Sequence, residues 1–208
     1  GDNTILNFWV QAGGAKIDTA GQDVWSNCGL LDGGGGGFVK SGLGAFKMNA
    51  VCTYTGPTDV MEGTLGGSGS FASSSLVTVH SGAGIAPGDP ASLTVGNITF
   101  NDGSYLDITL AGALHDVLNS TGTLTVGSNV ALNVLLSGTP VPGDYDILNW
   151  LAKSGDFVPN LPDMSPYGDG TWTISYDKDT GVLTVVPEPA TIVLLLTGAL
   201  MLYWHRRR

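Results

Sequence analysis

Short β-prone pieces recur along this chain, each closed by a turn of Gly, Asn, Asp or Ser: GGFVKSG, GAFKMNAVCTYTG, TDVMEGTL, SLVTVHSGAG, SLTVGNITFNDGSYLDITLAG, TGTLTVGSNVALNVLLSG. This punctuation constrains the fold more than any other feature. Strands of such length suit a sandwich, a barrel or a solenoid, and repetition discriminates among them. SLTVGNITFNDGSYLDITLAG and TLTVGSNVALNVLLSG echo one another, each a strand, a glycine turn, then further strand ending in Gly. Apolar positions alternate within them, as at Leu106, Ile108 and Leu110, which turns one face inward and one outward. The pattern predicts the rungs of a parallel β-solenoid, which bury together what no single rung buries alone.

Composition agrees. Glycine supplies 32 of 208 residues and charged residues only 12%, a mixture that favours short strands and tight turns over helices. The three arginines stand at the last three positions, so residues 1–186 carry five Lys against seventeen Asp and Glu, a net charge of −12. Such a body repels phosphate backbones, which argues against a nucleic-acid partner. The opening GDNTILNFWVQAGG has neither a basic start nor a long apolar stretch and already follows the strand pattern. It reads as the continuation of a longer repeat array, so residues 1–142 are expected to be solenoid rungs, with more rungs before Gly1.

Residues 34–65 carry the most detailed pattern. The segment GGGGFVKSGLGAFKMNAVCTYTGPTDVMEGTL places Lys40, Gly42, Gly44, Thr53, Tyr54, Gly56, Thr58, Gly63, Thr64 and Leu65 where the autotransporter-associated β-strand repeat has Lys-x-Gly-x-Gly, then Thr-Tyr-x-Gly-x-Thr, then Gly-Thr-Leu. It resembles that family. Cys52 and Pro57 depart from the usual Asn and Gly, and Pro57 falls in a turn, where a missing N–H is harmless. The resemblance implies a right-handed parallel β-helix, as in exported passenger domains. No membrane β-barrel follows in this sequence, so another export route is expected.

After Pro142 the text changes. GDYDILNWLAKSGDFVPNLPDMSPYGDGTWTISYDKDTGVLTV is richer in aromatics and prolines and ends in two apolar strands across the turn DKDTG. An open solenoid end exposes unpaired backbone and core, so residues 143–186 are expected to form a β cap.

The chain closes with VPEPATIVLLLTGALMLYWHRRR. Ala190 to Trp204 holds no charge; as a helix it would reach roughly 22 Å, against a hydrocarbon core of roughly 30 Å. Tyr203 and Trp204 suit the interface, and the stems of Arg206, Arg207 and Arg208 can snorkel to the head groups. The span is short but adequate. The positive-inside rule keeps the arginines cytoplasmic and exports the body. Pro187 and Pro189 hold the preceding segment extended and open to a protease. Together these three parts resemble the PEP-CTERM sorting signal, in which the tripeptide, here Pro187, Glu188 and Pro189, marks proteins for a membrane processing enzyme called exosortase. The resemblance implies a Gram-negative bacterium, a transient inner-membrane anchor at residues 187–208 with its helix at 190–204, and release to the cell surface or an exopolysaccharide matrix.

Candidate chemistry is thin. Cys28 and Cys52 lie 24 residues apart, roughly one turn of such a coil, so a disulfide across neighbouring rungs and a pair of buried free thiols both remain open. His80, His115 and His205 are scattered, and no His-x-x-x-His or Cys-x-x-Cys exists, so neither a metal site nor a cofactor is expected. DKDTG reads as a hairpin turn rather than a calcium loop. The run Gly33 to Gly37 lacks the Gly-Lys-Ser/Thr ending of a phosphate loop. Trp150, Trp172, Tyr145 and Tyr167 are candidates for a sugar-stacking platform or, more in keeping with a cap, a plug over the core.

The expectation is an exported, noncatalytic solenoid with a structural or adhesive role. The alternative is a carbohydrate-binding or carbohydrate-active β-helix protein. A lyase for acidic sugars must neutralise a carboxylate, and a body without arginine is poorly equipped to do so; a glycosidase needs two carboxylates across a cleft, and no acidic pair stands out from the turns.

Overall fold

The computed structural model describes residues 8–88, 90–167 and 172–187. Nearly all of their regular structure is strand, with one short 3-10 turn at Ser165–Tyr167 and no α-helix among the described residues. The strands wind into a parallel β-solenoid with three walls.

The first wall stacks Ala15–Asp18, Phe38–Ser41, Thr58–Val60, Val77–Val79, Ile98–Phe100, Thr123–Val126 and Ala152–Ser154. Among the described residues it therefore counts seven turns. The second wall stacks Val24–Ser26, Ala45–Met48, Thr64–Gly67, Gly84–Pro87, Tyr105–Ala111, Ala131–Leu136 and Val158–Asn160 in the same order. The third begins with Phe8–Val10 on Leu30–Asp32, continues through a bridge from Val51 to Ser70, and ends with Ser70–Phe71, Ser92–Val95, Val117–Ser120 and Leu148–Asn149. Each turn visits first, second and third wall in succession.

The alternation read from the sequence sets this packing. In Val77-Thr78-Val79 and Ile98-Thr99-Phe100 the outer two residues are buried and the threonine faces out. Register then turns single residues into columns: Phe46, Leu65, Ile85, Leu106 and Leu132 lie one above another inside the second wall. Phe38 of the first wall packs on Phe46 of the second (ring centroids 5.8 Å apart) and on Tyr54 (6.2 Å), which meets Phe71 of the third (6.5 Å). Burial of each such side chain is worth about 1.5–3 kcal/mol, so this aromatic cluster ties all three walls together across the interior.

Turn length varies along the axis. Ala15 stands on Phe38, 23 positions on; Thr58 stands on Val77, 19 on; Leu124 stands on Lys153, 29 on. The longer turns carry excursions at the corners, such as the antiparallel pair formed by Tyr105–Ala111 with Leu114–His115.

Two expectations need correction. The solenoid does not stop at Pro142: Leu148–Asn149, Ala152–Ser154 and Val158–Asn160 all pair in parallel with the turn before and form a last rung. The cap is a separate antiparallel sheet in which Val182–Pro187 lies between Gly143–Asp146 and Trp172–Asp177. Pro187, expected to open the tail, closes the central cap strand opposite Trp172. Of the two readings left open for Cys28 and Cys52, the structure has free thiols, with Cys52 buried and Cys28 half-buried. The rung offset there is 22 residues, as in Val24 on Phe46 and Ser26 on Met48, so a spacing of 24 sets the two cysteines out of step. Cys52 sits beside Leu30 instead, whose N–H points to its Sγ at 3.5 Å.

Candidate functional site

The residues of segment 34–65 form the densest polar constellation inside the solenoid. Lys40 occupies an inward position beneath Val60 and is fully buried. Its ammonium donates to Thr19 Oγ1 at 3.1 Å and to the carbonyls of Ser41 at 3.2 Å, Gly42 at 2.5 Å and Glu62 at 2.9 Å. Three successive turns thus share one cation. Burial pulls the Lys40 pKa below its ordinary value, opposed by the charges of Asp18, Glu62 and Asp23. The corner that supplies these carbonyls needs Gly42, whose φ is 79°, a conformation that side chains resist.

One turn further on lies a second buried polar group. Thr58 faces inward beneath Val77; its hydroxyl pairs with Tyr54 Oη and lies 2.9 Å from Ser74 Oγ, which also reaches the Gly56 carbonyl at 2.9 Å. Burial pushes the Tyr54 phenol well above its usual range. A Cβ on Gly56 would stand 2.3 Å from the Gly36 carbonyl oxygen, so the chain passes here only without a side chain. Both constellations are satisfied internally and sealed from solvent. Chemically they hold turns together, since a nucleophile or base needs access to a substrate that neither has.

On the surface, the chemistry gathers at the last rung. A groove of about 410 Å³ is lined by Trp150, Leu151, Ala152, Lys153, Gly155, Asp156, Lys178 and Asp179. Lys153 takes the inward register position above Leu124, and its ammonium leaves the core to meet Asp156 Oδ1 at 2.6 Å and the Lys178 carbonyl at 2.7 Å. Lys178 lies 2.9 Å from Asp179 and 3.7 Å from Asp156. The hydrogen bond from Lys153 holds the Asp156 carboxyl below its ordinary pKa. The Lys153 ammonium also lies 5.2 Å from the centre of the Trp150 ring, and the ring edge packs on Gly181 of the Asp177–Gly181 turn. Trp150 therefore pins the cap hairpin to the last rung, while Leu151 beside it is exposed.

The other sequence candidates fall apart from one another. Trp172 opens a cap strand and packs against the core. Tyr145 is buried in the cap, where its hydroxyl reaches the Gly112 carbonyl at 2.8 Å, and His115 meets its ring edge-on at 5.4 Å. His80 Nε2 pairs with Asp59 Oδ1 at 2.9 Å on the outside of the first wall. DKDTG joins two antiparallel strands, as a hairpin turn does, with the Gly181 N–H donating to the Asp177 carbonyl at 2.8 Å. The Gly33 to Gly37 run turns the chain from third wall to first, and Asp32 Oδ1 accepts from the N–H of Gly34 and Gly35, which lowers its pKa. Among the described residues no group of three or more His, Cys, Asp or Glu is placed to hold a metal ion. Nor, among them, is any helix long and apolar enough to cross a membrane. Glu188, Pro189, the span 190–204, His205 and Arg206 to Arg208 lie outside the described residues.

Sequence reasoning missed Lys153, Asp156, Lys178 and Asp179 as a group. The available signal was Lys153 itself, a charge at the register position that Ile98 and Leu124 occupy in earlier turns. Compared with known proteins, the chain matches no family model and no curated protein.

Proposed function

We propose that this chain is an exported, noncatalytic β-solenoid protein of the cell surface or extracellular matrix, with a structural or adhesive role. Its cylinder acts as a stiff spacer, wound right-handed as in the repeat family it resembles, and its C-terminal tail delivers it. The observation that supports this reading is the use made of segment 34–65. Lys40, Tyr54 and Thr58 are consumed in internal bonds between turns, and Gly42 and Gly56 allow the turns to close. What faces outward on the first wall is a row of Thr78, Thr99, Thr125 and Ser154 in register, a hydrated surface suited to a polysaccharide matrix.

Delivery rests on the tail. A transient inner-membrane anchor at 190–204, oriented by Arg206 to Arg208, presents Pro187, Glu188 and Pro189 to an exosortase-type enzyme in a Gram-negative host. The full chain, expressed with and without such an enzyme, is expected to appear in the surface fraction as a shortened product only in its presence. Replacing Pro187, Glu188 and Pro189 together by Ala is expected to leave it full-length in the membrane. Equal release of both forms overturns the reading.

A sugar-binding reading has the groove at Trp150 and exposed Leu151 in its favour. It requires binding on a glycan array that Leu151→Asp, which leaves the ring in place, abolishes without lowering the melting temperature.

A further inference from the structure

Two columns of outward residues run along the second wall, parallel to the axis. One stacks Thr64, Gly84, Tyr105, Ala131 and Val158, turn upon turn. The other lies two residues further along each strand, with Gly66 beneath Ala86, and Asp107 beneath Asn133 and Asn160. Between them Leu65, Ile85, Leu106 and Leu132 are buried, so both columns face out.

Tyr105 does not project from this surface. A Cβ on Gly84 would stand 2.1 Å from its Cε2 atom, so the ring lies flat over the neighbouring strand. Its hydroxyl lies 3.0 Å from Thr64 Oγ1, one turn further. The ring is thereby held at both ends, with one face on the wall and the other outward. Beyond it Ala131 is half-buried and Val158 is 53% exposed, which continues an apolar strip along the axis. Beside the strip runs a polar ladder, in which Asn160 Nδ2 donates to Asn133 Oδ1 and Asn133 Nδ2 donates to Asp107 Oδ1. These bonds orient the amides and leave each a second N–H for a ligand. A pyranose offers the complement, with an apolar C–H face for the ring and a hydroxyl edge for the amides.

We propose that this face binds an extended, uncharged, β-linked polysaccharide lying along the solenoid axis. The proposal supplies a partner for the adhesive role and rests on that role. Stacked strands advance about 4.8 Å per turn, close to the advance of one sugar in a ribbon-like chain. The four steps from Thr64 to Val158 span about 19 Å, room for about four sugars. A coiled, α-linked chain cannot follow so straight a strip. Charge selects further: among the described strands Thr64–Gly67, Gly84–Pro87, Tyr105–Ala111, Ala131–Leu136 and Val158–Asn160 there is no Lys or Arg, so a polyuronate finds no counter-charge on this face and meets a body of net charge −12. Because the ring and ladder are already fixed, little ordering is lost on binding. A further rung at either end of the cylinder leaves this lateral face as it is.

Calorimetric titration of the full chain with cellohexaose, in a detergent without a sugar head group, is expected to give a dissociation constant of about 100 μM or below. An oligogalacturonate of the same length is expected to bind at least about tenfold more weakly. Tyr105→Ala is expected to weaken cellohexaose by about tenfold or more. Ala131→Arg leaves the ring and the interior in place and fills the strip, so it is expected to do the same with the melting temperature unchanged, which separates lost binding from lost folding. No binding at about 1 mM overturns the proposal, as does equal affinity for the uronate. Binding indifferent to Tyr105→Ala and Ala131→Arg but abolished by Leu151→Asp overturns it too, and assigns the sugar to the groove at Trp150. Release by the exosortase-type enzyme is read in a separate assay, so export and glycan binding fail independently.

Discussion

The ammonium of Lys40 is surrounded by oxygens from three consecutive turns. Lys40→Ala removes the cation, empties its channel and leaves buried carbonyls without donors, so a loss of about 3–5 kcal/mol is expected in denaturant titration. With its folded pKa below the unfolded value, the unfolded chain binds the extra proton between the two. This lysine's contribution to stability therefore rises with pH across that window. Cys52 behaves in the opposite sense. Burial raises its thiol from 9.0 to about 11, so its contribution is complete below pH 9 and fades as pH climbs through 11. It also leaves little thiolate at neutral pH. Iodoacetamide at pH 8 is expected to label half-buried Cys28 in the native protein and Cys52 only after unfolding, as followed by intact mass.

Neighbouring strands add a ladder of polar side chains on the outside of the second wall. Asn160 Nδ2 donates to Asn133 Oδ1 at 3.1 Å, and Asn133 Nδ2 donates to Asp107 Oδ1 at 2.8 Å. Burial raises the Asp107 pKa more than the Asn133 amide lowers it, so ionisation at neutral pH works against the fold and protonation relieves it. Asp107→Asn is expected to raise the melting temperature at pH 7 by about 2 °C, with the gain shrinking toward pH 4. The walls themselves were legible in the sequence, because a parallel strand with one face inward must alternate, as Val77 to Val79 and Ile98 to Phe100 do. Register was not. Corner loops add or drop residues without disturbing alternation, which is why a spacing of 24 between Cys28 and Cys52 did not mean stacking on an offset of 22. The last rung escaped notice for a related reason. Lys153 and Pro159 hold inward register positions on it, yet the Lys153 ammonium turns out to Asp156 and the Lys178 carbonyl and Pro159 is exposed, so the apolar alternation fails there.

For the molecule as a whole, the cap decides whether the cylinder ends cleanly. Tyr145, Leu183 and Val185 of its sheet are buried, and each contributes about 1.5–3 kcal/mol by leaving water. A chain ending at Asn160 is expected to bind a hydrophobic dye and aggregate, whereas one ending at Pro187 stays dispersed; light scattering distinguishes them. The buried polar groups of segment 34–65 could be named from the sequence, but not their inward direction, because a lysine or tyrosine in a strand is equally at home facing solvent. The hairpin that clasps the last rung also has a mechanical side. Under tension applied at Phe8, the coils peel in order from the first described turn toward the cap. Extension should then proceed as a sawtooth, each peeled coil of about 20 residues releasing about 70 Å of contour, with the final peaks rising where the hairpin clasps the base.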